Sequence, residues 1–305
     1  MITRLRAPNP SPMTLEGTNG YIIPVGPGAV VAIDPGVDDE KHLEAFMEAA
    51  RKIHARFAAI LVTHGHPDHF PGAIALRRLT HAPIFAHRSA TFPYDRAVDD
   101  GMRLPFEDAT FVALHAPGHA RDHLVFWLEQ QRALFTGDVV IGTGTVVIAP
   151  PGGDMRVYQE SLERLLRDYG HADTIYGGHG PIVRQPRRKL EEYIEHRKSR
   201  EAQIIAALGR EPATIPALVR SIYADVDPRV WPAAARQILA YLIALEREGK
   251  VAASDVDREP TPDESALLNP DLGAIAHAGD DHALTRAELG LGGDLEALRL
   301  YRLAA

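Results

Sequence analysis

The sequence contains no cysteine among its 305 residues. This absence excludes disulfide bonds, a thiol nucleophile and any metal held by thiolate. A metal would have to be bound by histidine, carboxylate or water, a donor set that suits zinc, iron or manganese. The chain also lacks an apolar run of about 18 residues, so we expect no membrane-spanning helix. The opening residues lack the apolar stretch of a signal peptide, and we expect a cytoplasmic protein.

Acidic residues are concentrated near the C-terminus. From residue 255 onward the sequence has 4 Lys and Arg against 11 Asp and Glu, a balance of −7. The first 254 residues hold 29 against 30, a balance of −1. Acidic proteins are poor binders of polyanions, but here that argument applies mainly to the C-terminal segment. The composition therefore does not exclude a nucleic acid as partner of the body of the protein.

Short apolar runs that end at glycine, proline or histidine recur in the first half of the chain. They predict buried strands at residues 29–33, 57–62, 83–86, 110–114, 123–127 and 133–135. Helical patterns occupy residues 40–56 and 155–169, the second with Asp154 as N-cap and Gly170 beyond its end. Strands mixed with helices indicate layered sheets and helices.

The pattern changes after about Pro186. Helices are predicted at residues 189–208, 215–223 and 232–248, and Gly249 then marks a turn into a strand. Helices followed by a small hairpin predict a winged-helix-like module, which either binds nucleic acid or serves packing or dimerisation. We therefore expect a large domain of mixed strands and helices at 1–208, a winged-helix-like domain at 209–254 and a partly ordered acidic extension at 255–305.

Four clusters of histidine and carboxylate residues follow predicted strands. Three histidines and an aspartate within six residues are hard to explain by chance, and imidazole with carboxylate is the donor set of zinc sites. Glycines beside the clusters allow the backbone to approach a metal closely. The clusters are His64-x-His66-x-Asp68-His69, Pro117-Gly118-His119, Phe135-Thr136-Gly137-Asp138 and Gly177-Gly178-His179-Gly180-Pro181.

In this order, the clusters resemble those of the metallo-β-lactamase superfamily, whose signature is similar to the run from His64 to His69. The resemblance implies an α+β fold, the αββα four-layer sandwich, with two metal ions at one edge. It further implies a role for each matching residue: His64, His66 and His119 bind the first metal, Asp68, His69 and His179 bind the second, Asp138 bridges both, and Asp34 holds the histidine loop. Asp68 is also implied as the catalytic residue that orients the nucleophile.

A narrower resemblance covers about residues 1–254. Residues 9–21, the run Gly142-Thr143-Gly144-Thr145, and the helix at 193–197 with the segment beyond it resemble the β-lactamase-like-protein-2 hydrolases. We expect Thr18, Asn19, Thr143 and Thr145 to contact substrate. The characterised animal member of that family is an endoribonuclease acting on single-stranded RNA.

The reaction implied is hydrolysis by a hydroxide that bridges two Zn²⁺ ions, with iron or manganese as alternative metals. The expected partner is single-stranded RNA or a small anionic ester or acyl substrate, and the oligomeric state is left open. The winged-helix-like segment and a basic stretch favour an endoribonuclease-like phosphodiesterase, although glutamates within that stretch also fit a solvated helix face. The basic stretch comprises Arg184, Arg187, Arg188, Lys189, Arg197, Lys198 and Arg200.

Four alternatives stay open. A thioester, lactone or acyl hydrolase similar to glyoxalase II fits the same ligands. A β-lactamase fits less well, because β-lactamases commonly have cysteine where this chain has Asp138. An iron-dependent persulfide dioxygenase shares the fold and ligand types. A non-catalytic nucleic-acid-binding protein is disfavoured because all seven ligand positions are intact.

Overall fold

The computed structural model describes residues 1–269 and 298–304. The chain divides into two compact units. The first comprises residues 1–146 and 161–191, and the second comprises residues 147–160 and those from Glu192 onward. Both units are discontinuous in sequence, whereas we predicted contiguous domains at 1–208, 209–254 and 255–305. Those boundaries stay a prediction.

The first unit contains a six-stranded sheet whose strands lie in chain order. The first three strands are antiparallel neighbours and the later ones pair in parallel. The strands are β1 (Thr3–Arg6), β2 (Asn19–Gly26), β3 (Ala29–Ile33), β4 (Arg56–Leu61), β5 (Ile84–His87) and β6 (Arg96–Val98). Because the carboxyl ends of the parallel strands share one edge, the loops after β3 and β4 lie side by side.

A second sheet in the same unit has five strands in the order β11-β10-β9-β8-β7. Only the β10–β11 pair is parallel. The strands are β7 (Arg103–Pro105), β8 (Thr110–His115), β9 (Leu124–Leu128), β10 (Ala133–Gly137) and β11 (Thr174–Gly177). Side chains of both sheets form one buried cluster, including Ile23 and Phe126, so the sheets pack face to face.

Helices cover the outer faces of these sheets. α1 (Glu40–Lys52) and α2 (Pro71–Thr80) bury Phe46 and Leu76 against the first sheet. α3 (Met155–Tyr169) brings Tyr169 to 5.3 Å from Trp127 of the second sheet, measured between ring centroids. The predicted αββα layering is thereby confirmed.

Local signals explain where two of these helices begin and end. The carboxylate of Asp154 accepts hydrogen bonds from the backbone N–H groups of Arg156 and Val157, which confirms it as the N-cap of α3. The helix predicted at 40–56 was too long. α1 ends at Lys52, because His54 takes a positive φ of 52° and the chain turns there into β4.

The second unit contains a winged-helix arrangement, as predicted. Besides the first part of α3, which is also shared with the first unit, the elements of this unit are α4 (Pro186–Leu208, shared with the first unit), β12 (Ala213–Thr214), α5 (Ile215–Ile222), α6 (Trp231–Arg247), β13 (Val251–Asp255), α7 (Pro262–Leu268) and β14 (Arg299–Leu303). The three strands form an antiparallel sheet in the order β12-β14-β13. Of the predicted acidic extension, α7 and β14 belong to this unit, and residues 270–297 lie outside the described residues.

Within residues 1–269 and 298–304, no helix combines the length and the apolar character needed to cross a bilayer.

Candidate metal centre

The predicted ligands lie in loops that follow the strands of both sheets. The run from His64 to His69 follows β4, His119 follows β8, Asp138 follows β10 and His179 follows β11. The structure brings all seven predicted ligands together at this edge. Five of the seven are buried, and His66 and His119 are half-buried.

Three imidazoles form the first group of potential ligands. One nitrogen from each of His64, His66 and His119 lies within 4.8 Å of the other two. His119 Nε2 and His66 Nδ1 are 3.0 Å apart. This group matches the first-metal set that the resemblance implied.

A second group, formed by Asp68, His69 and His179, matches the second-metal set. Asp68 Oδ2 lies 3.3 Å from His69 Nε2 and 3.3 Å from His179 Nε2. A third group, formed by His64, His69 and Asp138, shares one histidine with each of the others. Asp138 thus lies between the two sets, with its Oδ2 3.3 Å from His179 Nε2 and 3.7 Å from His119 Nε2.

Hydrogen bonds fix the tautomers of two histidines. The Thr63 hydroxyl donates to Asp34 Oδ2 at 2.7 Å, so its oxygen accepts from His64 Nδ1 at 3.0 Å. His69 Nδ1 donates to the same Asp34 oxygen at 2.9 Å. In the neutral form of both rings, which is the form that binds metal, Nε2 therefore carries the lone pair, and neither Nε2 atom has a hydrogen-bond partner among the described residues. Buried lone pairs that converge in this way fit a metal ion.

Asp34 lies where the resemblance placed it, behind the ligands. Its other oxygen accepts from the backbone N–H of Thr63 at 2.8 Å, so the carboxylate anchors both ends of the loop that carries His64 and His69. Asp34 is 2% exposed. The arrangement orients the rings before any metal binds.

Charge is distributed unevenly over the centre. Burial and the neighbouring His69 keep the pKa of His64 well below its usual value, and burial with His119 lowers the pKa of His66 to about 3. The second set behaves in the opposite way. Burial opposes the charged forms, but the carboxylates of Asp68 and Asp138 outweigh it and raise the pKa of His69 well above its usual value.

The same balance applies to His179 and the two carboxyl groups. Burial lowers the pKa of His179, but Asp138 and Asp68 outweigh it and raise that pKa to about 10. Burial disfavours ionised carboxyls, yet His69 and His179 hold the pKa of both Asp68 and Asp138 well below the usual range. Both carboxylates are therefore ionised and able to bind cations.

Glycines make the close approach of these loops feasible. A Cβ on Gly178 would lie 2.4 Å from Asp138 Oδ1, and a Cβ on Gly137 would lie 2.6 Å from Thr63 Oγ1. Gly137 also has a positive φ of 46°. Both positions need glycine, because backbone must pass directly beside the ligand side chains.

The four residues predicted to contact substrate occupy different environments. Thr18 and Asn19 are 0% and 1% exposed. Thr18 donates to Asp68 Oδ2 at 2.8 Å, and Asn19 donates to the carbonyls of Gly177 and Gly180. Thr143 is exposed and Thr145 half-buried in the loop after β10. Contact with substrate stays a prediction for all four, while the first two support the ligand loops.

Sequence reasoning missed two supporting residues. Asn9 donates to the Thr18 hydroxyl at 3.0 Å and accepts from its backbone N–H at 2.9 Å. His123, read as the start of a strand, is buried with its ring stacked on His64. The only signal for His123 in the sequence is its position four residues after His119.

The sequence profile of the metallo-beta-lactamase superfamily matches residues 13–179, and that of the beta-lactamase associated winged helix domain matches residues 214–258. The chain belongs to the metallo-beta-lactamase superfamily, whose members are generally hydrolases.

Among its relatives, the beta-lactamase-like protein 2 homolog of Caenorhabditis elegans is 32% identical over 262 residues, covering 82% of this chain and 85% of that protein. An atrochrysone carboxyl ACP thioesterase of Aspergillus chevalieri is 32% identical over 263 residues, 82% of each chain. The crystal structure of a beta-lactamase domain protein from Burkholderia ambifaria superposes with a TM-score of 0.74 at 18% identity, covering 84% of this chain and 90% of that one. That last likeness concerns the fold alone.

Proposed function

We propose that this protein is a hydrolase that works with two zinc ions. The observation that carries the proposal is the convergence of three overlapping donor groups, linked through His64 and His69, on one buried point. Imidazole and carboxylate donors suit zinc, and two ions that share such a set are typical of hydrolytic centres. When bound, the ions would supply Lewis-acid chemistry, activating water and polarising an oxygen of the substrate.

The chain's own carboxylates would handle the proton. Asp68 is ionised, and the hydroxyl of Thr18 fixes its Oδ2 at 2.8 Å, so its orientation is set before substrate arrives. A carboxylate held in this way can accept a proton from the attacking water and pass it to the leaving group. Thr18 is in turn held by Asn9.

We infer that the substrate is an acyl thioester or a related acyl ester. A relative that matches 82% of this chain is named as a thioesterase that acts on an acyl carrier protein substrate. In such a reaction the water oxygen bonds to the carbonyl carbon, the carbon–sulfur bond breaks, and the thiol leaves with the proton. The predicted cleavage of single-stranded RNA stays the second candidate, on the resemblance to the β-lactamase-like-protein-2 family.

The second unit gives little support to RNA as the substrate. A winged helix that reads nucleic acid presents the helix before its hairpin to a groove. In α6, which precedes β13, 12 of 17 residues are buried. Its single exposed residue, Arg247, donates to the carboxylate of Asp154 at 2.7 Å. This helix therefore offers little surface for a groove.

Two residues of the predicted basic stretch contact other side chains of the protein. Arg197 is fully buried with its guanidinium 5.1 Å from the ring centre of Tyr158, and Arg187 pairs with Glu191 at 3.6 Å. Between β13 and β14, residues 256–298 contain ten Asp and Glu, two Arg and no Lys. An acidic sequence between these two strands disfavours contact with a phosphate backbone.

The test compares thioester and RNA substrates on one zinc-loaded preparation. Thiol release from a panel of acyl thioesters is followed with a thiol-reactive dye, to which this cysteine-free chain contributes no background. Cleavage of end-labelled single-stranded RNA is measured in parallel. We expect thiol release by the wild type and a loss of about 100-fold or more in Asp68→Asn. We expect full activity in Asp38→Asn, whose carboxylate is exposed and pairs with Arg78 on the surface.

RNA cleavage that Asp68→Asn abolishes, without thiol release, would replace the thioester proposal by the phosphodiesterase. Hydrolysis of neither substrate class would overturn both. Metal analysis of the protein as purified tests the zinc assignment, which fails if iron or manganese predominates. The predicted cytoplasmic location stays a prediction.

A further inference from the structure

The dipeptide Asp122-His123, directly before β9, belongs to none of the three donor groups, yet it contacts two of the ligand loops. His123 is 0% exposed. Its ring lies flat on that of His64, with centroids 4.5 Å apart and planes inclined by 20°. The face of a first-group ligand is thus packed against a histidine that is not itself in a donor group.

The same ring reaches a second loop through a hydrogen bond. His123 Nε2 accepts from the backbone N–H of Asp138 at 3.0 Å. An acceptor at Nε2 requires the neutral ring with its proton on Nδ1. One side chain therefore fixes both the plane of His64 and the backbone position of the carboxylate that lies between the two metal sets.

The backbone is shaped to admit this ring. A Cβ on Gly137, the residue before Asp138, would lie 2.9 Å from His123 Cε1. Glycine at this position, with its positive φ of 46°, lets the Asp138 loop lie against the imidazole. A larger residue would separate the two.

Asp122 contacts the histidine loop on the other side of His64. Its carboxylate lies beside Gly65 and accepts a hydrogen bond from the N–H of that residue. A Cβ on Gly65 would come within 3.0 Å of Asp122 Oδ2. The next residue but one, Leu124, donates its N–H to the carbonyl of Thr63 at 2.7 Å. Asp122 and Leu124 therefore hold the backbone on both sides of His64, and His123 between them packs on its ring.

We infer that Asp122 and His123 are positioning residues that set the separation between the His64 loop and Asp138, and thereby the affinity of the centre for metal. The inference rests on the proposed function in one respect, that the centre holds metal. Residues that orient metal ligands from behind typically contribute about 10- to 100-fold to metal affinity.

Separate variants remove the hydrogen bond to Asp138 and the hydrogen bond to Gly65. His123→Phe keeps a buried ring against His64 but removes the acceptor, leaving the Asp138 N–H without a partner. Asp122→Ala removes the acceptor for Gly65, whereas Asp122→Asn retains an oxygen there. Leu128→Ala is the matched control, because Leu128 is also 0% exposed but lies at the far end of the same strand.

Zinc affinity is measured by competition with a chromogenic chelator, and the cobalt-substituted proteins are compared by visible absorption at saturation. We expect two zinc ions in the wild type, a loss of about 10- to 100-fold in affinity for His123→Phe and Asp122→Ala, and an altered cobalt spectrum for His123→Phe. Asp122→Asn should stay close to wild type. Leu128→Ala should lower the melting temperature of the metal-free protein without changing affinity or spectrum.

Wild-type affinity and an unchanged cobalt spectrum in His123→Phe would overturn the inference. So would losses in every variant, Leu128→Ala included, that simply follow the melting temperature. If His123→Phe does not fold, the contrast between Asp122→Ala and Asp122→Asn decides. A wild type that binds no metal would instead overturn the proposed function, and this outcome is measured on the wild-type protein alone.

Discussion

Replacing Asp34 by asparagine should preserve the fold and weaken the metal centre. Asp34 has a positive φ of 45°, a conformation that asparagine tolerates better than most residues. The side chains are of nearly equal size, so the packing is retained. What changes is hydrogen bonding, since the carboxylate accepts from the N–H and hydroxyl of Thr63 and from His69 Nδ1.

An amide cannot satisfy all three donors. If its oxygen faces the Thr63 N–H, its NH₂ faces His69, whose ring must then move its proton to Nε2, the atom directed at Asp68 and Asp138. If the amide flips, the Thr63 N–H is left buried without an acceptor, which costs about 1–3 kcal/mol. Metal affinity should therefore fall by about 5- to 150-fold, chiefly for the ion bound by His69.

Chelator competition measures the two zinc affinities, and thermal unfolding of the metal-free protein reports the fold. Asp38→Asn serves as control, because the carboxylate of Asp38 is exposed and pairs with Arg78 on the surface. Asp34→Asn protein that binds the second zinc as tightly as wild type would refute the tautomer argument.

Three further predictions concern the same unit. Thr18→Val removes the hydroxyl bound to Asp68 and should lower kcat by about 10- to 100-fold with little effect on KM; an unchanged kcat in steady-state assays would count against it. Gly142→Ala places a Cβ 2.0 Å from the carbonyl oxygen of Pro181, so a lower melting temperature and weaker zinc binding are expected, and a wild-type result in both would contradict this. In the metal-free protein the pKa of His179 is about 10. A histidine whose pKa is raised on folding stabilises the folded state fully below its unfolded pKa of about 6.5, and this stabilisation is lost as the pH rises through the folded pKa. The free energy of unfolding in urea should therefore fall between these two pH values, and a flat profile would be evidence against it.

The elements foreseen from the sequence are those with a strong pattern of their own. The predicted helix at residues 155–169 matches α3, and the predicted strand at 29–33 matches β3. Short strands such as β6 and β7 were not predicted. Each has three residues, two of them exposed, and is defined by pairing with a neighbouring strand rather than by apolar alternation.

The ligands could be foreseen because each cluster is local and flanked by glycine or proline. Apart from Asp34, which the resemblance implied, their supports could not be foreseen, because the contacts join distant parts of the chain. Thr18 and Asp68 are 50 positions apart, and nothing in the sequence around either residue predicts that they meet. His123 is the first residue of a predicted strand, 123–127. Nothing in its residue type indicates that it contacts His64 as well.

The discontinuous course of the two units has a consequence for inheritance. Residues 147–160 belong to the second unit but are encoded between the two parts of the first. Within that segment, Arg156 pairs with Glu201 and Glu248, both encoded downstream. A recombination event at residue 192 that exchanged the winged helix for one from another gene would replace both glutamates and leave Arg156 without these two ion pairs. We therefore expect the two units to be inherited together and not to be exchanged separately between genes.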